Sequence, residues 1–191
     1  MKIVFGGAFN PVTNAHIEVY KYVMGKMNVD EFIFLPVSNA YTKSELTSNF
    51  HRLKMLELAV KDYDNISISK LEIEDSDYLG TYQSLIRLSD KYNTEIAFVV
   101  GADNIINMDK WINVEAILSE FKIIILRRNK IDINKLINED KVLNKYKNSF
   151  IIYEDFEIDV SSTNFRESFN KEFLNNDVYE YIVKNNLYRG E

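Results

Sequence analysis

Short runs rich in Ile, Val and Phe alternate along the chain with longer helix-like stretches, and this alternation restricts the fold more than any other feature. The runs lie at 2–5, 31–37, 66–73, 95–101, 122–128 and 150–156. Between them, 16–27, 49–61, 81–92 and 114–120 carry apolar residues at three- and four-residue spacing, with Ser48, Thr81 and Asn113 placed as N-caps. Strands apolar on both faces belong in a parallel sheet covered by helices, with right-handed crossovers. The expected fold is therefore α/β: a Rossmann-like, doubly wound, mostly parallel sheet with helices on both faces. One surface helix is predicted within 129–148. A C-terminal amphipathic helix over 177–188 has Val178, Tyr181, Ile182 and Leu187 to pack on the body. A chain of 191 residues fits one domain spanning 1–191.

Cysteine is absent, which removes disulfides, thiolate metal sites and a cysteine nucleophile, and agrees with a reducing cytoplasm. The first residues lack the apolar core of a secretory signal, and no apolar run is long enough to span a bilayer. A cytoplasmic protein without a membrane partner is expected. The net charge of −6 disfavours nucleic acid as a partner, so phosphates, if bound, are bound by local groups.

Ligands of such sheets sit beyond the carboxyl ends of the strands, which directs attention to 6–14, 38–47, 101–111 and 160–166. The first of these opens "GGAFNPVTNAH". Gly6 and Gly7 allow positive φ and close approach of a ligand, and Asn10-Pro11 makes a turn into a helix. Thr13 and His16 then share the first helical turn beside the positive end of the macrodipole, an anion site with two side-chain donors. The spacing is neither G-x-G-x-x-G nor a P-loop. In "VSSTNFR", Ser161, Ser162 and Thr163 offer hydroxyls and N–H groups at a helix start, and Arg166 follows one turn later. Taken singly, each stretch also fits a plainer role: a turn with a capping His, and a Ser N-cap with a solvated Arg.

Together the two stretches resemble the signature of the nucleotidyltransferase superfamily, G-G-x-F-[DN]-P with [HT]-x-G-H near the start and I-S-S-T-x-[IL]-R near the end. Within it the chain is similar over nearly its whole length to the nicotinate-nucleotide adenylyltransferase family. "YTKSEL" occupies the place of that family's P-H-K segment, and "RLKMLELAV" resembles its second helix. "YLGTYQSL", "FVVGADNIINMDKW" and "YEYIVKNNLY" resemble its S-Y-T, G-x-D…W and C-terminal stretches.

The resemblance implies transfer of AMP from ATP to nicotinate mononucleotide, giving deamido-NAD and pyrophosphate. It implies an ATP site of Gly6, Gly7, Ala8, Phe9, Thr13, His16, Gly101, Asp103, Ser161, Ser162, Thr163 and Arg166. Of these, His16, Thr13 and Arg166, with Lys43, are the candidates for charge stabilisation at the reacting phosphorus. It sets Trp111, the single tryptophan, against the pyridine ring, and the backbone N–H groups of Thr81 and Tyr82 beside the pyridine carboxylate. Mg²⁺ is carried with ATP rather than in a protein metal site. A homo-oligomer is compatible with the sequence.

The chain departs from the family pattern at Thr13 (for His), Ala15 (for Gly), Thr42 (for His) and Ile112 (for an aromatic). Other readings remain: a nucleotidyltransferase acting on another phosphate such as phosphopantetheine, or a nucleotide-binding sensor without turnover. Trp111 also fits a core or interface position, and Asp103 a helix N-cap.

Overall fold

The computed structural model describes residues 1–40, 46–77, 79–127, 131–156 and 160–189. β1 (Lys2–Gly7), β2 (Glu31–Pro36), β3 (Ile66–Ile68), β4 (Ile96–Gly101), β5 (Lys122–Leu126) and β6 (Phe150–Tyr153) form one sheet, all parallel, in the order β3-β2-β1-β4-β5-β6. The helices are α1 (Asn14–Lys26), α2 (Asn49–Val60), α3 (Leu71–Glu74), α4 (Thr81–Tyr92), α5 (Ala102–Ile105), α6 (Val114–Glu120), α7 (Ile133–Glu139), α8 (Lys141–Lys145), α9 (Ser162–Ser168) and α10 (Asn176–Lys184). None is long and apolar enough to cross a membrane among the described residues.

The two-residue repeat of a strand divides each apolar run between two cores. Ile3, Phe32, Phe34, Val99 and Ile124 face one core, covered by α1, α2 and α10 through Val23, Met55, Leu56, Val178 and Ile182. Val4, Ile33, Leu35, Phe98 and Ile125 face the other, under Leu85 and Leu88 of α4 and Ile117 and Leu118 of α6. This is the doubly wound sheet that the alternation implies. From β1 the chain winds outward to β3 in one direction and, starting again at β4, outward to β6 in the other. The reversal lies between β1 and β4, where a crevice must open at the carboxyl ends.

Three local expectations are corrected. The run 66–73 is strand only to Ile68: the Ser69 N–H closes the ladder on the Phe34 carbonyl at 2.8 Å. Its hydroxyl then accepts from the Leu71 N–H at 3.3 Å, turning the chain into α3. The stretch 129–148 holds two helices instead of one, because Asp140 ends α7 and caps α8 by accepting from the Leu143 N–H at 2.8 Å. Arg128, Asn129 and Lys130 lie outside the described residues. The N-cap of α4 is Gly80, with Thr81 the first helical residue, whereas Ser48 and Asn113 cap α2 and α6 as expected.

Candidate active site

Two adjoining clefts open at the carboxyl ends of β1 and β4. Gly6, Gly7, Val100, Gly101 and Asn104 belong to the walls of both. One, of about 330 Å³, contains His16, Asp103 and the residues 161–163. The other, of about 240 Å³, contains Ala8, Glu72, Thr81 and Trp111.

In the His16 cleft, Thr13 is the N-cap of α1 and is 2% exposed. Its backbone N–H donates to His16 Nδ1 at 2.9 Å, and its Oγ1 lies 2.9 Å from the same nitrogen. A backbone N–H can only donate, so Nδ1 is the acceptor and the neutral ring carries its proton on Nε2. The ring is further held by an edge-on contact with Phe9, centroids 5.1 Å apart. This rigid placement follows from a three-residue spacing on one helical turn, and it leaves the histidine as an N–H donor in the cleft wall.

The two glycines serve differently from the expectation. Both belong to β1, and neither has positive φ; a Cβ at Gly6 would meet the Phe98 ring at 3.0 Å, and one at Gly7 the Phe9 ring at 3.1 Å. Their small size lets aromatic rings close under the crevice. The left-handed backbone occurs at Phe9, φ 45°, whose ring is 2% exposed and sits edge-on to Phe5 and Phe34 at 5.6 and 5.3 Å. Burial of a large aromatic offsets the unfavourable φ.

The second loop closes on the first. Ser161 caps α9 by accepting from the Asn164 N–H at 3.1 Å, while the Ser162 hydroxyl donates to the Pro11 carbonyl at 2.7 Å. Arg166 donates from Nη1 to the Asn10 carbonyl at 2.6 Å and from Nη2 to Thr163 Oγ1 at 3.2 Å. Ser161, Ser162 and Thr163 therefore reach the His16 cleft, with the exposed Arg166 behind them on the Asn10 turn. Gly101 caps α5, and Asp103, in the first turn of α5, lines the same cleft without being the cap.

On the other side, Trp111 stands edge-on to Phe98, centroids 6.3 Å apart. Thr81 joins it in the wall, but the Tyr82 side chain turns away and its hydroxyl donates to Glu120 at 2.9 Å. Only the backbone of Tyr82 remains near the opening of α4. Gly80 takes φ 90°, a conformation that needs glycine, and a Cβ there would meet Ile112 at 3.4 Å, so the α4 start and the loop after Trp111 fit closely.

Residues that the sequence alone did not single out complete the site. Arg52 of α2 is fully buried and donates to the carbonyls of Ala8, Val37 and Thr47 and to the side-chain oxygens of Asn39 and Asn49, over 2.5–3.0 Å. No carboxylate pairs with it among the described residues. Burial pushes its guanidinium below the ordinary arginine value, partly countered by Tyr188. Tyr188 donates to Asn10 Oδ1 at 2.8 Å, and burial raises its hydroxyl to about 12. Asn104 belongs to both clefts, and Arg127 directly follows β5 in the wall of the His16 cleft. Extending the carboxyl-end rule to β5 would have found Arg127. Thr42 and Lys43 lie outside the described residues.

The sequence profile of the cytidylyltransferase-like family matches residues 4–168, and the chain belongs to that family. Among curated relatives it is 34% identical to the "probable nicotinate-nucleotide adenylyltransferase" of Acholeplasma laidlawii, covering 98% of this chain and 97% of the relative. It is 32% identical to the protein of the same description from Clostridium acetobutylicum, covering 98% of each. The fold is shared with the Plasmodium falciparum nicotinic acid mononucleotide adenylyltransferase complexed with NaAD, with a TM-score of 0.77 at 21% identity over 98% of this chain and 96% of that one.

Proposed function

We propose that this chain transfers the AMP part of ATP to nicotinate mononucleotide, releasing pyrophosphate. The observation that carries the reading is the adjoining pair of clefts: hydroxyl and imidazole donors in one and the tryptophan in the other, with Gly6, Gly7 and Gly101 between them. Triphosphate in the first and pyridine nucleotide in the second bring a phosphate oxygen of the mononucleotide up to the α-phosphorus. That oxygen forms the new O–P bond as the bond to pyrophosphate breaks, with no protein nucleophile. The relatives at 34% and 32% identity, described as probable nicotinate-nucleotide adenylyltransferases, support the same substrates.

Catalysis on this reading is alignment and charge stabilisation. His16 Nε2–H, the Thr163 hydroxyl and the N–H groups of Ser162 and Thr163 at the start of α9 donate to phosphate oxygens, Thr13 orients the imidazole, and Arg166 and Lys43 supply positive charge. Trp111 stacks on the electron-poor ring, and the α4 start, at Thr81 and Tyr82, offers amides to its carboxylate. Mg²⁺ enters as part of the ATP substrate. On this reading the ion is held mainly by phosphate oxygens and water.

The test is pyrophosphate release with ATP and one of three acceptors: nicotinate mononucleotide, nicotinamide mononucleotide or phosphopantetheine. Turnover with a pyridine mononucleotide is expected. Turnover with phosphopantetheine alone, or with none, rejects the reading.

A further inference from the structure

Glu72 does not belong in a cleft meant only for an anion. It is 8% exposed, lines the Trp111 cleft and receives the Ser84 hydroxyl on Oε1 at 2.7 Å, yet its Oε2 is buried without a hydrogen-bond partner. Buried carboxylate oxygens are rarely left so, because the lost hydration is uncompensated. The charged groups acting on it are Asp75, which follows α3, and Arg87 of α4, ion-paired to each other at 2.7 Å. Arg87 is thus committed elsewhere.

We propose that Glu72 is a specificity-determining residue for the pyridine substituent: as the neutral acid it donates from Oε2–H to the ring carboxylate, and as the carboxylate it accepts from a ring carboxamide. The inference rests on the reading of the Trp111 cleft as the pyridine site. Burial holds the Glu72 carboxyl above the ordinary glutamate range, with Asp75 adding to the rise and Ser84 and Arg87 opposing it. The donor form therefore persists to higher pH than in an exposed glutamate. A ligand carboxylate beside it favours that form further.

Trp111 is the only tryptophan and lines the same cleft, so its fluorescence reads mononucleotide binding without turnover. Nicotinate and nicotinamide mononucleotides are titrated between about pH 5 and about pH 9 into the wild type, Glu72→Gln and Glu72→Ala, and the affinity ratio is taken to cancel the phosphate they share. The ratio of nicotinate to nicotinamide affinity should fall with rising pH in the wild type. It should be flat in Glu72→Gln, whose amide donates at every pH. Glu72→Ala should lose about tenfold in nicotinate affinity at the acid end while ATP binding is retained. A flat wild-type ratio, or a Glu72→Ala affinity equal to the wild type, overturns the inference alone. Absence of a fluorescence response to either mononucleotide in the wild type overturns the reading of the cleft as well.

Discussion

The Arg166 guanidinium donates to the Asn10 carbonyl at 2.6 Å, across 156 positions of sequence, and the Ser162 hydroxyl donates to Pro11 beside it at 2.7 Å. The loop after β1 and the start of α9 are thereby one unit, and the groups proposed to bind phosphate are held in fixed positions relative to each other. Preorganisation of this kind is what stabilises charge in a transition state without reorganisation at the moment of reaction.

Arg166→Ala is expected to lower kcat/KM for ATP by about 10²–10³, the scale of losing one preorganised charged donor. Arg166→Lys should restore only part, since a single ammonium cannot hold the Asn10 carbonyl and a phosphate in the geometry of a planar fork. Steady-state kinetics with ATP varied decide it; a loss confined to the KM of the mononucleotide would contradict the assignment.

His16→Ala is expected to reduce kcat by about 10² with the fold retained. Thr13→Ala should behave differently, because the backbone N–H at position 13 still holds Nδ1 when the hydroxyl is gone. A rate loss well below that of His16→Ala, with about 1 kcal/mol of stability lost from the helix cap, is the expected pattern. Urea denaturation beside single-turnover rates separates the two effects.

The sheet was legible because strands buried on both faces read as nearly continuous apolar runs, and the clefts followed because ligands gather where such a sheet reverses. What escaped was set by side chains acting across distance. Arg52 sits in a helix whose apolar spacing accounts for its neighbours, and nothing in the spacing tells a buried guanidinium from a solvated one. Glu72 lay hidden inside a run that read as a strand, and only the Ser69 turn moves it under α4. The glycines of β1 were read as room for positive φ and a close-lying ligand, whereas the aromatic packing of Phe9 and Phe98 decides their use.

Trp111→Ala should raise the KM of the pyridine mononucleotide by about tenfold while leaving that of ATP unchanged, as expected for loss of one desolvated ring contact. The Phe98 contact makes a purely structural tryptophan the rival account. Trp111→Phe distinguishes them: stacking is partly restored by a ring, and equal damage to both substrates in either variant would favour the structural role.

The raised Glu72 carboxyl also makes stability depend on pH. Unfolded, the group ionises in the ordinary range; folded, it holds its proton higher. Its favourable contribution is therefore complete below the unfolded value and is lost as pH rises through the folded one. Denaturation midpoints of the wild type minus those of Glu72→Gln should decline over that interval. A constant difference would mean that the group is ionised throughout.

Arg52 joins the loops after β1 and β2 to α2 with five bonds to oxygens of half-buried residues. Its replacement takes that donor from the Ala8 and Val37 carbonyls and Asn39 Oδ1, while Thr47 and Asn49 keep bonds from Asn39; a buried acceptor left without a partner costs about 1–3 kcal/mol. Arg52→Met, similar in length and apolar, should lose about 3–5 kcal/mol, as breaking other buried charged networks does. Arg52→Lys should gain little over it, because one ammonium cannot reach Ala8, Val37 and Thr47 together. Both are read by urea denaturation followed through Trp111. Because Ala8 belongs to the wall of the Trp111 cleft, as does Val37, the surviving fold should show a raised KM for the mononucleotide before that for ATP. If Arg52→Met instead unfolds at the wild-type urea concentration, the guanidinium is not what fixes these loops, and the cleft draws its shape from the sheet alone.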